Sequence, residues 1–251
     1  MKRRSSIPKL AVLSLLLLGP GRGWADEIRV AVASNFGEAI KEIAQRFEVQ
    51  TGHEVVLVIG STGKQYAQIK NGAPFDAFFA ADARRPELLE DEGAALAGSR
   101  FTYARGRILL WSPRQGYVDP EGQVLEEGGF RHLAIANPRL APYGKAAQQV
   151  LENRGLWDGL QGRMVRGENI GQTFQFVKSG NAELGLVAYS QVKRPGHALE
   201  GSYWEVPQSL YSPIEQQAVL LKDNAAARGF LDFVRGDEAG EIIRGYGYDT
   251  P

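Results

Sequence analysis

Four short stretches of the chain place small or hydroxyl-bearing residues where a predicted strand runs into a predicted helix. They are Ala33-Ser34-Asn35-Phe36, Gly60-Ser61-Thr62-Gly63, Ala141-Pro142-Tyr143-Gly144 and Glu168-Asn169-Ile170-Gly171. The first turn of a helix has backbone N–H groups without intrahelical partners and forms the positive end of the helix dipole. Such a turn binds anions through uncharged donors. Four of these turns, two in each half of the chain, predict a site that surrounds one small oxyanion without a charged side chain.

The elements that must position these turns alternate between strand and helix. The pattern predicts strands at 27–33, 53–59 and 75–80 with helices between them, which is the order of a doubly wound α/β unit. A strand at 107–111 leaves this unit. A second α/β series follows, with strands at 132–136, 164–165 and 184–189 and helices at 145–153 and 172–179. The chain returns as a strand at 216–221 and ends in two helices.

This pattern predicts an α/β fold with two lobes. Each lobe is expected to be a doubly wound mixed sheet, with the ligand cleft between the lobes at the carboxyl ends of the strands. Residues 26–104 are expected to form the first part of lobe 1, residues 105–205 to form lobe 2, and residues 206–251 to complete lobe 1.

Residues 1–25 have the three parts of an export signal. Residues 2–4 are basic, residues 10–18 are apolar, and Gly23-Trp24-Ala25 is a small-x-small cleavage site. The apolar segment is shorter than the roughly 20 residues that span a bilayer. We therefore expect cleavage after about Ala25 and export to the periplasm.

The composition argues against several classes of function. The chain has 29 basic and 29 acidic residues, and the expected signal contains five of the basic ones, so 24 remain against 29. A protein with this negative balance is not expected to bind nucleic acid. The chain has no cysteine, and its three histidines lack metal-ligand spacing. We expect no disulfide, no cofactor and no bound metal cation.

Further motifs accompany the four turns in a fixed order. They are VAVASNF at 30–36, GSTG at 60–63, GAPFDAFFAAD at 72–82, ANP at 136–138, APYG at 141–144 and GYG at 245–247. In the order and spacing of these motifs, the chain resembles the molybdate-binding proteins of ABC-type importers, within the type II solute-binding superfamily. The resemblance covers essentially all of residues 26–251. It implies a type II periplasmic-binding-protein fold and a monomer that captures molybdate or tungstate for a membrane permease, without enzymatic activity.

The resemblance also implies which residues bind the oxyanion. Members of the family hold the tetrahedral dianion between the lobes by hydrogen bonds alone. By position, the donors here are the Ser34 hydroxyl, the Asn35 amide, the hydroxyl and backbone N–H of Ser61, and the backbone N–H groups of Tyr143 and Ile170.

The chain departs from the family pattern at one position. Many members have a tyrosine in the strand equivalent to 184–189 whose hydroxyl reaches the anion, but Ala188 occupies that position here. Tyr189 comes one residue later and is expected on the other face of the strand, away from the ligand. This chain resembles most the branch of the family that lacks the tyrosine, in which the Asn35 amide would replace the missing donor.

Three alternatives remain open from the sequence. The same fold can bind another small oxyanion, such as sulfate. Ser34 and Ser61 can be ordinary helix N-caps. An exported serine hydrolase would use one of them as nucleophile, but it needs a histidine beside the serine, and the chain has no Gly-x-Ser-x-Gly nucleophile elbow.

Overall fold

The structure is a computed structural model that describes residues 26–251, so the expected export signal lies outside the described residues. Within this range the strands are β1 (Glu27–Ala33), β2 (Glu54–Gly60), β3 (Ala77–Phe79), β4 (Phe101–Gly106), β5 (Ile108–Ser112), β6 (Leu133–Ala136), β7 (Met164–Gly167), β8 (Leu184–Ala188), β9 (Ser202–Glu205) and β10 (Ile214–Leu220). The helices are α1 (Gly37–Thr51), α2 (Thr62–Lys70), α3 (Arg84–Asp91), α4 (Val124–Glu127), α5 (Pro142–Asn153), α6 (Trp157–Leu160), α7 (Ile170–Lys178), α8 (Tyr189–Val192), α9 (Ala225–Arg235) and α10 (Asp237–Gly245). None of the helices within residues 26–251 has the length and apolarity needed to cross a membrane.

The strands form two five-stranded sheets with the same plan. The first sheet has the order β2-β1-β3-β10-β4, and β1 pairs in parallel with both of its neighbours. The second has the order β7-β6-β8-β5-β9, and β6 pairs in parallel with both of its neighbours. The other pairings, those of β10 and β5, are antiparallel. The expected α/β fold with two mixed-sheet lobes is therefore confirmed.

The apolar patterns of the sequence explain how the first sheet is covered. All three residues of β3 (Ala77–Phe79) are fully buried, as expected for a continuous apolar strand with helices on both faces. Helix α1 buries Ile40, Ile43 and Phe47, which lie on one face at helical spacing. Gly52 caps the C-terminus of the helix, and its φ of 77° is the left-handed conformation that favours glycine at this position.

The chain crosses between the two sheets twice. It leaves the first sheet at Arg107, between β4 and β5, and returns in the segment between β9 and β10. The sequence patterns do not predict β4 or β9. Both are edge strands that pair with a single neighbour, so neither needs a long apolar run. The lobe boundaries after residues 104 and 205 stay a prediction. They state which residues are expected to move together as one lobe.

Two helix starts and one strand end differ from the sequence prediction. Helix α5 begins at Pro142 and α7 at Ile170, so the turns expected to precede these helices form their first turns. Proline suits the first helical position because its missing N–H would have no partner there. Strand β8 ends at Ala188, and Tyr189 begins α8. The expectation that Tyr189 lies on the opposite face of the strand is therefore wrong, because the residue is outside the strand.

Candidate functional site

The four strand-to-helix turns meet at one small cavity between the two sheets. It is lined by all five candidate residues, Ser34, Asn35, Ser61, Tyr143 and Ile170, and its empty volume is about 170 Å³. The other lining residues are Ala33, Gly60, Thr62, Ala81, Ala141, Pro142 and Asn169. The cavity therefore has no charged side chain in its lining. Two larger grooves share some of these residues, but charged side chains line them in part, and their empty volumes of about 1510 and 1170 Å³ suit solvent better than one small ligand.

The first turn presents Ser34 and Asn35 after β1. The Ser34 hydroxyl oxygen accepts a hydrogen bond from the Gly171 backbone N–H of the second lobe at 3.1 Å. Its own hydrogen is then free to be donated. The side chain of Asn35 is buried, and its Nδ2 donates to the oxygens of Gln216 at 2.6 Å and Tyr248 at 3.0 Å. The Asn35 Oδ1 is buried without a partner among the described residues.

The second turn presents Ser61 at the start of α2. Ser61 is 2% exposed, and its hydroxyl oxygen has no hydrogen-bond partner among residues 26–251. An ordinary N-cap serine accepts a hydrogen bond from the first helical turn, but Ser61 makes no such bond. Asn169 does make a capping bond, because its Oδ1 accepts a hydrogen bond from the Gln172 N–H at the start of α7. The alternative that Ser61 is an ordinary cap is therefore not supported, and its hydroxyl is free for a ligand.

The second lobe offers backbone donors rather than side chains. Tyr143 and Ile170 lie in the first turns of α5 and α7, where backbone N–H groups have no intrahelical acceptor. Both side chains are buried in the apolar core. The Tyr143 hydroxyl lies 3.4 Å from the Gln216 Nε2 of the first lobe. Both residues line the cavity, and we expect them to serve it through their backbone N–H groups.

The two lobes are closed on each other around the cavity. The Gly63 N–H donates to the Leu140 carbonyl at 2.8 Å, and the Lys64 ammonium lies 3.2 Å from the Glu168 carboxylate. A Cβ on Gly63 would lie 2.9 Å from the Leu140 oxygen, closer than such atoms normally approach. Glycine at this position therefore permits the close contact between the lobes.

Three tyrosine hydroxyls lie behind the cavity. They belong to Tyr103, Tyr143 and Tyr248, all of them buried. Burial raises the pKa of each hydroxyl above its ordinary value, because the charged phenolate would lose its hydration. These groups consequently stay neutral and place no negative charge next to an anion.

The structure does not place the partners that a hydrolase needs. No histidine hydrogen-bonds to Ser34 or Ser61 among the described residues, and the partner of the Ser34 hydroxyl is a backbone N–H. Residues 26–251 also contain no cluster of His, Asp and Glu that would hold a metal ion. Tyr189 is not part of the cavity lining, and its ring instead packs under the Arg107 guanidinium at 4.2 Å.

Two residues that hydrogen-bond to Asn35 from far along the chain are not predicted by the sequence patterns. Gln216 and Tyr248 contact Asn35 from the end of the chain. A signal for Gln216 existed, because it begins the predicted strand at 216–221, whose residues 218–221 are apolar, and an amide buried there needs hydrogen-bond partners. Gly171 was part of a named turn, but its contact with Ser34 depends on how the lobes close.

Comparisons with known proteins agree with this architecture. Residues 28–249 match the family model described as bacterial extracellular solute-binding protein. The molybdate-binding protein ModA of Azotobacter vinelandii is 51% identical over 245 residues, which cover 94% of this chain and 97% of that protein. ModA of Rhodobacter capsulatus, also a molybdate-binding protein, is 46% identical over 251 residues, which cover 98% of this chain and 96% of that protein. The solved periplasmic molybdate-binding protein of A. vinelandii has a TM-score of 0.87 at 45% identity and covers 89% of this chain and 99% of that one. The chain therefore belongs to the bacterial extracellular solute-binding protein family, and it is a binding protein rather than an enzyme.

Proposed function

We propose that this protein captures molybdate, and tungstate equally, in the cavity between its lobes and delivers it to the membrane permease of an ABC-type importer. The observation that carries the proposal is the cavity itself, in which four helix starts converge without a charged side chain. The molybdate-binding relatives, at 51% and 46% identity, support the choice of oxyanion.

The proposed ligands are uncharged donors from both lobes. Ser34, Asn35 and Ser61 serve the anion from the first lobe, and the N–H groups of Tyr143 and Ile170 serve it from the second. Hydrogen bonds to a charged group contribute about 1.5–3 kcal/mol each. About five of them, reduced by the cost of ordering the lobes, support an affinity of about −8 kcal/mol or better, which is micromolar or tighter.

A shell made only of donors also selects the ligand. Hydrogen phosphate carries a proton that would meet another donor and find no acceptor, so its binding would leave a buried clash. Sulfate has no such proton and must be rejected by its smaller size. Molybdate and tungstate are nearly equal in size and charge, so we expect the site to bind both.

Closure of the lobes connects binding to transport. The anion contacts donors of both lobes, so it stabilises the closed state over the open one. Closure also creates a surface that exists only when both lobes meet, and the permease can recognise that surface. We further propose that residues 1–25 are removed as a signal, that residues 26–251 act in the periplasm as a monomer, and that residues 105–205 move as one lobe against the rest.

Titration calorimetry of residues 26–251 tests the proposal. Molybdate and tungstate are expected to bind one-to-one with similar affinity, at concentrations where sulfate and phosphate give no heat. Heat from sulfate alone would assign the cavity to a smaller oxyanion. Absence of binding by all four anions would refute the oxyanion function and leave only the fold.

A further inference from the structure

The side chain of Gln191, in α8, joins the end of β8 to the first turn of α7. Its Oε1 accepts a hydrogen bond from the Ala188 backbone N–H at 3.1 Å, and its Nε2 donates to the Ile170 backbone carbonyl at 3.0 Å. A backbone N–H only donates and a carbonyl only accepts, so these two partners fix which end of the Gln191 amide is oxygen and which is nitrogen. Gln191 therefore supports the turn that contains Ile170, although it does not line the cavity itself.

The peptide group between Ile170 and Gly171 is held at both of its polar atoms. Its carbonyl oxygen accepts the hydrogen bond from Gln191 of the second lobe. Its N–H, which belongs to Gly171, donates to the Ser34 hydroxyl oxygen of the first lobe at 3.1 Å. Because a peptide group is planar, the direction of its carbonyl sets the direction of its N–H. Gln191 thus sets the direction in which the Gly171 N–H points across the cleft.

These groups form a chain in which every hydrogen bond is donated towards the cavity. The Ala188 N–H donates to Gln191, and Gln191 donates to the carbonyl of the Ile170–Gly171 peptide. The N–H of that peptide then donates to Ser34, which lines the cavity. Consecutive hydrogen bonds of one direction polarise one another, so each strengthens the next. Since Ser34 accepts within the chain, its own hydrogen is left for a ligand in the cavity.

We propose that Gln191 is a positioning residue for oxyanion binding, which orients the Ser34 hydroxyl as a donor through the Ile170–Gly171 peptide. The inference rests on the proposed function. Both hydrogen bonds of Gln191 join residues of the second lobe, whereas the bond from Gly171 to Ser34 crosses the cleft. Gln191 therefore aims the Gly171 N–H before the lobes close. Groups that are ordered before binding need not be ordered during it, which raises affinity.

The residue before Gln191 links the same helix to the first lobe. The Ser190 hydroxyl, which is buried, donates to the Asn35 backbone carbonyl at 3.2 Å. Helix α8 thus contacts the turn after β1 through Ser190 and the first turn of α7 through Gln191. Both turns contain candidate oxyanion donors, so α8 lies where it can set their relative position.

A substitution that removes both ends of the Gln191 amide tests its effect on affinity. Gln191→Met keeps a similar length and should weaken molybdate binding by about 5- to 20-fold, as expected for residues coupled in one hydrogen-bond network. The matched control is Gln149→Met in α5. The Gln149 side chain also accepts from a backbone N–H, that of Ser212, and donates to the Ser212 hydroxyl, both at 3.0 Å. Because Ser212 does not line the cavity, the control should change affinity less than about twofold.

A double-mutant cycle shows whether Gln191 acts through Ser34. In a Ser34→Ala background the chain has no hydroxyl to orient, so Gln191→Met should weaken molybdate binding less than about twofold further. In a Ser61→Ala background it should keep its full effect, because Ser61 lies outside the chain. A merely structural role of Gln191 would give the same factor in the unaltered protein and in both backgrounds. That result in calorimetric titration would overturn the inference.

The remaining outcomes separate this inference from the proposed function. Absence of molybdate binding by the unaltered protein would refute the proposed function, whereas normal affinity of Gln191→Met would overturn only the role of Gln191. Gln191→Asn replaces the methionine variant in the cycle if that variant does not fold. It keeps the amide but lacks one methylene, so it is too short to reach both Ala188 and Ile170. It should show the same dependence on Ser34, and an equal effect with and without the Ser34 hydroxyl would again overturn the inference.

Discussion

Replacing Ser61 by alanine separates ligand binding from stability. The Ser61 hydroxyl is buried and has no partner among residues 26–251, so Ser61→Ala breaks no internal hydrogen bond. An unpaired buried hydroxyl is itself unfavourable, by about 1–3 kcal/mol. The free energy of unfolding without ligand should therefore stay the same or rise. The oxyanion, in contrast, loses one donor.

The loss of affinity follows from the strength of that one bond. A hydrogen bond from an uncharged donor to a charged acceptor contributes about 1.5–3 kcal/mol, which corresponds to a dissociation constant about 10- to 150-fold higher. The backbone N–H of Ser61 is unaffected by the substitution, so the turn keeps its second donor.

Calorimetric titration with molybdate and denaturant unfolding without ligand measure the two effects. Ser112→Ala is the matched control, because the buried Ser112 hydroxyl donates to the Glu183 carbonyl at 2.7 Å and does not line the cavity. It should lower the free energy of unfolding by about 1 kcal/mol and leave affinity unchanged. The reasoning fails if Ser61→Ala destabilises the ligand-free protein as much as the control does, or weakens binding less than about threefold.

Three further predictions concern closure and pH. Gly171→Ala places a Cβ 3.2 Å from the Ser34 Cβ across the cleft, which hinders closure of the lobes. Titration should therefore show weaker molybdate binding, while the unfolding midpoint stays unchanged. Normal affinity of this variant would contradict the prediction. Lys64→Gln removes an exposed ion pair with Glu168. Such pairs contribute about 1 kcal/mol or less, so affinity should fall less than about fivefold at low salt and hardly at high salt, and a larger loss would mean that the lysine contacts the anion. Burial raises the pKa of Tyr248, so its contribution to stability is complete below the ordinary tyrosine pKa of about 10 and is lost as pH rises further. Unfolding of the protein and of Tyr248→Phe at about pH 9 and 11 measures this loss, and an equal decrease in both would contradict it.

The turns were predictable because the information for them is local. Gly60-Ser61-Thr62-Gly63 lies between an apolar strand and an amphipathic helix, so its position at a helix start follows from the residues beside it. The fold class followed in the same way from the alternation of strands and helices. The apolar run at 75–80 indicated a doubly covered strand, and β3 is fully buried.

The partners of the candidate donors were not predictable from local sequence. The Ser34 hydroxyl meets a backbone N–H 137 residues away, and the Asn35 amide meets Gln216 at a separation of 181 residues. Both contacts depend on the return of the chain through β10 and on the closure of the lobes. Edge strand β4 was missed for a related reason, since its pairing with β10 is also long-range.

The distribution of the donors between the lobes has a consequence for unloading. In the proposed role, opening the lobes removes the N–H groups of Tyr143 and Ile170 from the anion in a single movement. At about 1.5–3 kcal/mol each, their loss raises the dissociation constant by roughly 100- to 25,000-fold. No proton has to be transferred and no ion pair with the anion has to be broken, because the cavity lining is uncharged. A permease that pulls the lobes apart would therefore release the anion by mechanical work alone, at any pH in which the protein stays folded.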